Sequence, residues 1–181
     1  MSRIPALDTT HANPDAKSLF DAVKAKIGKV PNLFRVMGNS PAVLKSYLTF
    51  SEAIATGSLS AAERETLAIA IAQRNACGYC LSAHSFIGKS AGLTPADIAG
   101  ARAAKAQTPR RQALLTLADK LVVERGHLAD ADLASAREAG LTDGEILEVI
   151  ALVALNTFTN YVNHVAGTEI DFPNVDLALA S

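Results

Sequence analysis

The chain has 181 residues, 49% of them hydrophobic, with 17 basic and 18 acidic side chains and a formal net charge of −1. That length and apolar content suffice for one domain with its own core and no disulfide staple, so residues 1–181 are read as a single domain. Scattered, balanced charge gives no electrostatic footprint for nucleic acid or an anionic membrane surface.

The amino terminus, "MSRIPALDTTHANPDAK", has no apolar h-region. The longest apolar runs, such as Val149 to Leu155, fall short of the roughly 20 residues of a membrane helix. A soluble chain in the cytoplasm is expected. In such a reducing compartment a disulfide is catalytic or sensing rather than structural. Attention therefore falls on the two cysteines.

Helices are predicted throughout, because alanine and leucine recur at helical spacing and alternating runs with hairpin dipeptides are missing. A first helix is expected from about Asp15 to Lys26. The "KVPNLFRVMGNSP" segment then punctuates the chain before a second helix from Pro41 to about Thr56. Ser60 and Glu63 form a capping-box pattern opening a helix to about Asn75 that is apolar nearly all round. The cysteine segment is expected to start another helix, ending near Ala91-Gly92. Thr94-Pro95, Pro109 and Asp130 open further ones. A long helix begins at Thr142 and is expected to break or bend around Asn156. Its segment Ile146 to Leu155 is so uniformly apolar that burial on all sides, partly by neighbouring subunits, is expected. After Asp171 a proline-containing tail shows little periodicity.

Sliding the central region by 80 residues places Glu65, Cys77, Cys80 and His84 on Glu145, Thr157, Asn160 and His164. Duplication of a helical hairpin would explain this echo. "AGLT" also recurs at Ala91 and Ala139, an offset of 48, and the two registers cannot both be one repeat.

The chemistry concentrates in "RNACGYCLSAHSF". On a helix starting at about Cys77, the residues Cys77, Cys80 and His84 stand at i, i+3 and i+7 and share a face. A cysteine in a first helical turn also meets unpaired backbone N–H groups, which favour thiolate. Glu65, 12 residues before Cys77, is the second anomaly. Facing inward it needs a partner, and with His84 it would form a proton relay beside a thiol. Facing outward, it is an acid stabilising the helix dipole, and buried cysteine is common in cores. Covalent haem would need histidine where Leu81 stands, and an iron–sulfur cluster would need more cysteines. Zinc on Cys77, Cys80, His84 and Glu65 has four ligands but less sulfur than structural sites usually use. His11, His127 and His164 read as surface or satisfied helix residues. No phosphate loop, nucleotide fingerprint or hydrolase triad is present.

The spacing Glu65, 11 residues, Cys77, two residues, Cys80, three residues, His84 resembles the core motif of the AhpD-like alkylhydroperoxidases of the carboxymuconolactone decarboxylase superfamily. The resemblance covers about residues 40–125, and "KVPNLFRVMGNSPAVLKSYLTF" looks like the peroxidase-related branch. It implies a compact all-α fold, no metal or organic cofactor, and assembly into trimers or hexamers. It also implies a thiol peroxidase acting on hydrogen peroxide or organic hydroperoxides, with Cys80 as the attacking thiolate, Cys77 resolving, Glu65 and His84 as relay, and an external dithiol reductant. Cys80 stands one helical turn from His84, whereas Cys77 lies at the helix entrance, where a reductant is expected to reach it more easily. One departure is Tyr79, where the best-known members carry histidine. Decarboxylase members generally lack the CxxC pair, and a non-catalytic dithiol sensor is the reading from a different class.

Overall fold

In the computed structural model, which describes residues 2–179, every regular element is a helix. Met1, Ala180 and Ser181 of the single-domain reading lie outside the described residues. The helices are α1 (Pro14–Ile27), α2 (Asn32–Met37), α3 (Pro41–Ile54), α4 (Ala61–Arg74), α5 (Gly78–Ser90), α6 (Pro95–Arg102), α7 (Pro109–Val123), α8 (Asp130–Glu138) and α9 (Asp143–Ala166).

Local chemistry sets most of these boundaries. Pro14, Pro41, Pro95 and Pro109 each begin a helix, where their missing N–H costs nothing. Ser60 with Glu63, Thr94 with Asp97 and Thr142 with Glu145 form full capping boxes at the starts of α4, α6 and α9. The segment expected to be mere punctuation contains α2. Its Leu33, Val36 and Met37 are buried at i, i+3 and i+4, a short apolar stripe that tertiary packing stabilises.

The "AGLT" recurrence is a shared connector between helices. In both copies glycine takes a left-handed conformation, with φ of 92° at Gly92 and 89° at Gly140. The next N–H then closes the preceding helix, from Leu93 to the Gly88 carbonyl at 2.9 Å and from Leu141 to the Ala136 carbonyl at 3.1 Å. Both leucines are buried and both threonines cap the next helix. The offset of 80 has no such counterpart. Glu65 lies on α4 and His84 on α5, whereas Glu145, Thr157, Asn160 and His164 all lie on α9, so the echo is no repeated hairpin.

Helix α4 is central, packing against α5, α6, α7 and α9. Its Ile69 and Ala72 enter a core with Phe20, Leu33, Leu44 and Leu81, while Leu67 and Ile71, on the opposite side, enter a second core with Leu114, Leu117, Val149 and Leu152. This double burial is why the helix reads as apolar all round. Each such aliphatic side chain contributes roughly 1.5–3 kcal/mol on leaving water.

Helix α9 is unbroken over 24 residues, so the chain does not break at Asn156. The Asn156 amide donates to the Leu152 carbonyl at 2.9 Å, one turn back, so it is satisfied without opening the helix. By length and composition α9 could cross a membrane, but its inner face carries Asn156, Thr159, Asn160 and Asn163 into the protein interior. It is not buried on all sides within the chain. Leu147, Ile150, Ala154, Phe158, Tyr161 and Val165 form an exposed apolar stripe at helical spacing.

Candidate functional site

The site is built on the turn between α4 and α5. After α4, Ala76 adopts a left-handed φ of 53° and the Cys77 N–H closes on the Ala72 carbonyl at 2.9 Å. A non-glycine residue there costs roughly 1–2 kcal/mol. The turn delivers Cys77 as the cap of α5 rather than as its first residue: its backbone is extended and its Sγ accepts the Cys80 N–H at 3.3 Å. The expected single helical face of three residues is therefore two residues, Cys80 and His84 at i and i+4, met by Cys77 from the helix end.

Glu65 faces inward from α4. Its Oε2 lies 2.8 Å from His84 Nδ1, and the two side chains are 18% and 21% exposed. A carboxylate can only accept, so Nδ1 donates and Nε2 is left for other chemistry. Burial disfavours the imidazolium, but the charge and hydrogen bond of Glu65 outweigh it and hold His84 above its ordinary range, with the Cys80 charge adding to the effect.

The two thiols diverge. Hydrogen bonding from Cys77 draws Cys80 well below the ordinary thiol range; burial opposes this, and the His84 charge with the amides of Asn163 and Asn160 reinforces it. The same bond, with burial and the Cys80 charge, pushes Cys77 up. Of the two sulfurs, Cys80 is the one whose surroundings favour the thiolate. Both thiols are free. Among the described residues no three His, Cys, Asp or Glu side chains are arranged to hold a metal ion, so the zinc alternative has no assembled donor set.

Two cavities meet at His84. One, of about 270 Å³, is apolar and aromatic, with Phe34, Tyr47, Phe86, Ile87 and Phe172 in its wall. The other, of about 210 Å³, is more polar, with Ser51, Arg64, Glu65, Asn156 and Thr159. The imidazole and Tyr47 line both. Burial pushes the Tyr47 phenol up to about 12.

The C-terminal segment straps the cysteine turn. Tyr79 donates to Asp171 Oδ1 at 2.8 Å and accepts the Leu33 N–H at 3.1 Å, so the residue between the cysteines faces the strap rather than the relay. Further along, the Val175 N–H donates to Ser82 Oγ at 3.0 Å and Gln73 to the Leu177 carbonyl at 2.9 Å. Arg102 holds the Asp176 and Ala178 carbonyls. Cys77 and Cys80 are both 2% exposed, so burial gives a reductant no easier approach to Cys77 than to Cys80.

Sequence reasoning brought Glu65, Cys77, Cys80 and His84 to one place, and they are together there. It missed Asn163, whose Nδ2 donates to Cys80 Sγ at 3.2 Å, and Asn160, fully buried beside it. The signal for them was three asparagines and two threonines inside an otherwise apolar helix.

The carboxymuconolactone decarboxylase family matches residues 41–120. Among solved structures, the chain is similar to an uncharacterised peroxidase-related protein with an alkylhydroperoxidase AhpD core from Ralstonia eutropha JMP134, at 26% identity and TM-score 0.85, over 94% of this chain and 92% of that one. It is similar in fold to an uncharacterised peroxidase-related protein from Silicibacter sp. TM1040, at 24% identity and TM-score 0.78, over 92% of each chain. It also shares the fold of the debrominase Bmp8, in a cysteine-to-alanine form with 2,3,4-tribromopyrrole, at 17% identity and TM-score 0.80, over 94% of this chain and 92% of that one. Among curated proteins none matches.

Proposed function

Because the chain is an AhpD-like member of the carboxymuconolactone decarboxylase superfamily, we propose that it is a thiol-dependent peroxidase reducing hydrogen peroxide or organic hydroperoxides. The observation that carries this reading is the assembled geometry: Cys77 Sγ accepts the Cys80 N–H at 3.3 Å, Asn163 Nδ2 donates to Cys80 Sγ at 3.2 Å, and His84, one helical turn from Cys80, has its Nδ1 held by Glu65 at 2.8 Å. The Cys80 thiolate attacks one peroxide oxygen and the O–O bond breaks. The leaving oxygen takes a proton from His84 and departs as alcohol or water, leaving Cys80 as a sulfenic acid. Cys77 gives up its proton and attacks the Cys80 sulfur, water leaves, and a disulfide forms. An external dithiol donates two electrons and two protons and restores both thiols. Glu65 orients the imidazole and favours its charged form.

The apolar cavity beside His84 suits the organic part of a hydroperoxide. The exposed α9 stripe supports a homo-oligomer, a trimer or hexamer by the family resemblance, and the free dithiol suits the reducing cytoplasm. The test is peroxide consumption under a dithiol reductant by the wild type, Cys80→Ser and Cys77→Ser. Turnover in the wild type, loss of the first step in Cys80→Ser, and a trappable sulfenic acid at Cys80 without turnover in Cys77→Ser are expected. Stoichiometric oxidation without turnover would replace the enzyme by a dithiol sensor.

A further inference from the structure

Helix α9 turns a row of polar side chains toward the cysteine turn. Asn160 is 0% exposed and Asn163 5%. Burying an amide costs roughly 1–3 kcal/mol for a polar atom left without a partner. Asn160 Oδ1 accepts from the Asn75 amide at 2.8 Å, which orients the side chain, yet among the described residues its Nδ2 has no hydrogen-bond partner. Asn163 Nδ2 donates to Cys80 Sγ at 3.2 Å, and its Oδ1 has no partner among them either. His164, the next residue along, lies with Nε2 2.9 Å from the Asn75 carbonyl, so the end of α9 is aligned on residues 75–80. Buried polar groups in native cores are paired as a rule, so these two amide atoms call for an explanation.

We propose that Asn163 and Asn160 form an amide cradle for Cys80, donating N–H groups to its sulfur when that sulfur carries charge. Neutral amides suit this place, because they stabilise an anion without adding a second buried charge that would need its own partner. Asn163 touches the reacting atom; Asn160, anchored by Asn75, completes the donor set. The direction of the Cys80 shift agrees, since both amides act toward the thiolate.

The cradle also has a redox consequence. A sulfur in a disulfide carries no charge and is a weak acceptor, so oxidation leaves the two amides without their partner. Stabilising the thiolate therefore makes the Cys77–Cys80 disulfide easier to reduce. The inference concerns the dithiol itself and stands whether or not peroxide is the oxidant.

The experiment compares wild type with Asn163→Leu and Asn160→Leu, which keep volume and remove the donors. The rate of Cys80 alkylation by iodoacetamide is followed across pH in a Cys77→Ser background, and the disulfide is equilibrated against glutathione in the native-dithiol background. Asn163→Leu is expected to slow alkylation about tenfold near neutral pH and to favour the disulfide about tenfold, a change of about 30 mV. Asn163→Ser, which restores a hydroxyl donor, is expected to recover part of both. Unchanged alkylation profile and redox equilibrium in a folded Asn163→Leu protein would overturn the proposal. Should the leucine variants fail to fold, the side-chain amide resonances of Asn160 and Asn163 in the wild type decide: they are expected to shift on Cys80 alkylation, and indifference would overturn the cradle. A protein inert to peroxide but altered in these readouts would reject the peroxidase reading and keep the cradle.

Discussion

The Tyr79 hydroxyl donates to Asp171 Oδ1 at 2.8 Å, tying the residue between the two cysteines to the C-terminal strap. The bond is part of a cluster, since Asp171 Oδ2 also accepts the Asn32 N–H at 3.2 Å and lies 3.5 Å from Lys29 Nζ. Burial raises the Tyr79 phenol far above its ordinary value, with the Asp171 contact adding, so the hydroxyl stays a donor throughout the working range. The strap is thereby fastened to the residue next to Cys80 and two beyond Cys77.

Tyr79→Phe removes both bonds made by this hydroxyl and leaves the buried Leu33 N–H without its partner. A loss of about 1–3 kcal/mol is expected, read by urea denaturation. A several-fold faster reaction of the native protein with an aromatic disulfide reagent should accompany it, because the strap then opens more often. Loss of stability at constant thiol reactivity would mean that the strap does not control access.

Glu65→Gln keeps the shape of the relay and removes its charge. His84 is held above its ordinary range against burial by that charge and hydrogen bond, so removing the charge lets burial draw the imidazole back down. The support that the His84 charge gives to the Cys80 thiolate weakens with it, and the thiolate forms at higher pH. Alkylation of Cys80 near neutral pH should fall roughly tenfold, recovering in alkali. A superimposable pH profile would reduce Glu65 to a structural residue.

Arg110 joins three helix starts, donating to Glu63 at 2.8 Å and to Glu145 at 2.5 Å, and both acids belong to capping boxes. The Arg110 bond, followed by the Thr142 N–H, holds Glu145 down at about 2 against an ordinary 4.5. Its stabilising contribution is therefore complete above 4.5 and lost as pH falls toward 2. Arg110 is partly exposed, so Arg110→Ala is expected to cost about 1–2 kcal/mol at neutral pH. The variant should also lose less stability than the wild type on acidification, which paired denaturation curves at neutral and acid pH will show.

The exposed stripe of α9 centres on Ile150, Phe158 and Tyr161, with Phe50 of α3 nearby across a shared apolar hollow. Phe158→Glu is expected to convert the oligomer to monomer in light scattering at micromolar concentration, since a charge in such an interface has no partner. A wild type that is already monomeric would remove the assembly proposal.

Much of the fold is legible in the sequence because the signals are local. Capping boxes at Ser60 and Thr142, the prolines that begin helices and the glycine connectors at 92 and 140 all work through hydrogen bonds spanning a few residues. The segment holding α2 escaped because six residues nucleate no helix alone; the surrounding core stabilises it. The break expected at Asn156 is absent for the converse reason. The polarity that looked like a breaker is directed into the protein, and the amide bonds its own helix.

The candidate set follows from the linear chain: two cysteines three apart, a histidine four beyond and an acid twelve before, on helices whose ends are also marked there. Spacing along a helix fixes which side chains share a face, so this much needs no long-range information. Which sulfur the surroundings favour as thiolate is a matter of packing. It depends on Cys77 capping α5 from outside it and on Asn163 reaching Cys80 across 83 residues of chain, just as the strap depends on Asp171 reaching Tyr79 across 92. Such contacts are set by how helices lie against one another, and no periodicity within one helix encodes the polar atom that a distant helix will place against it.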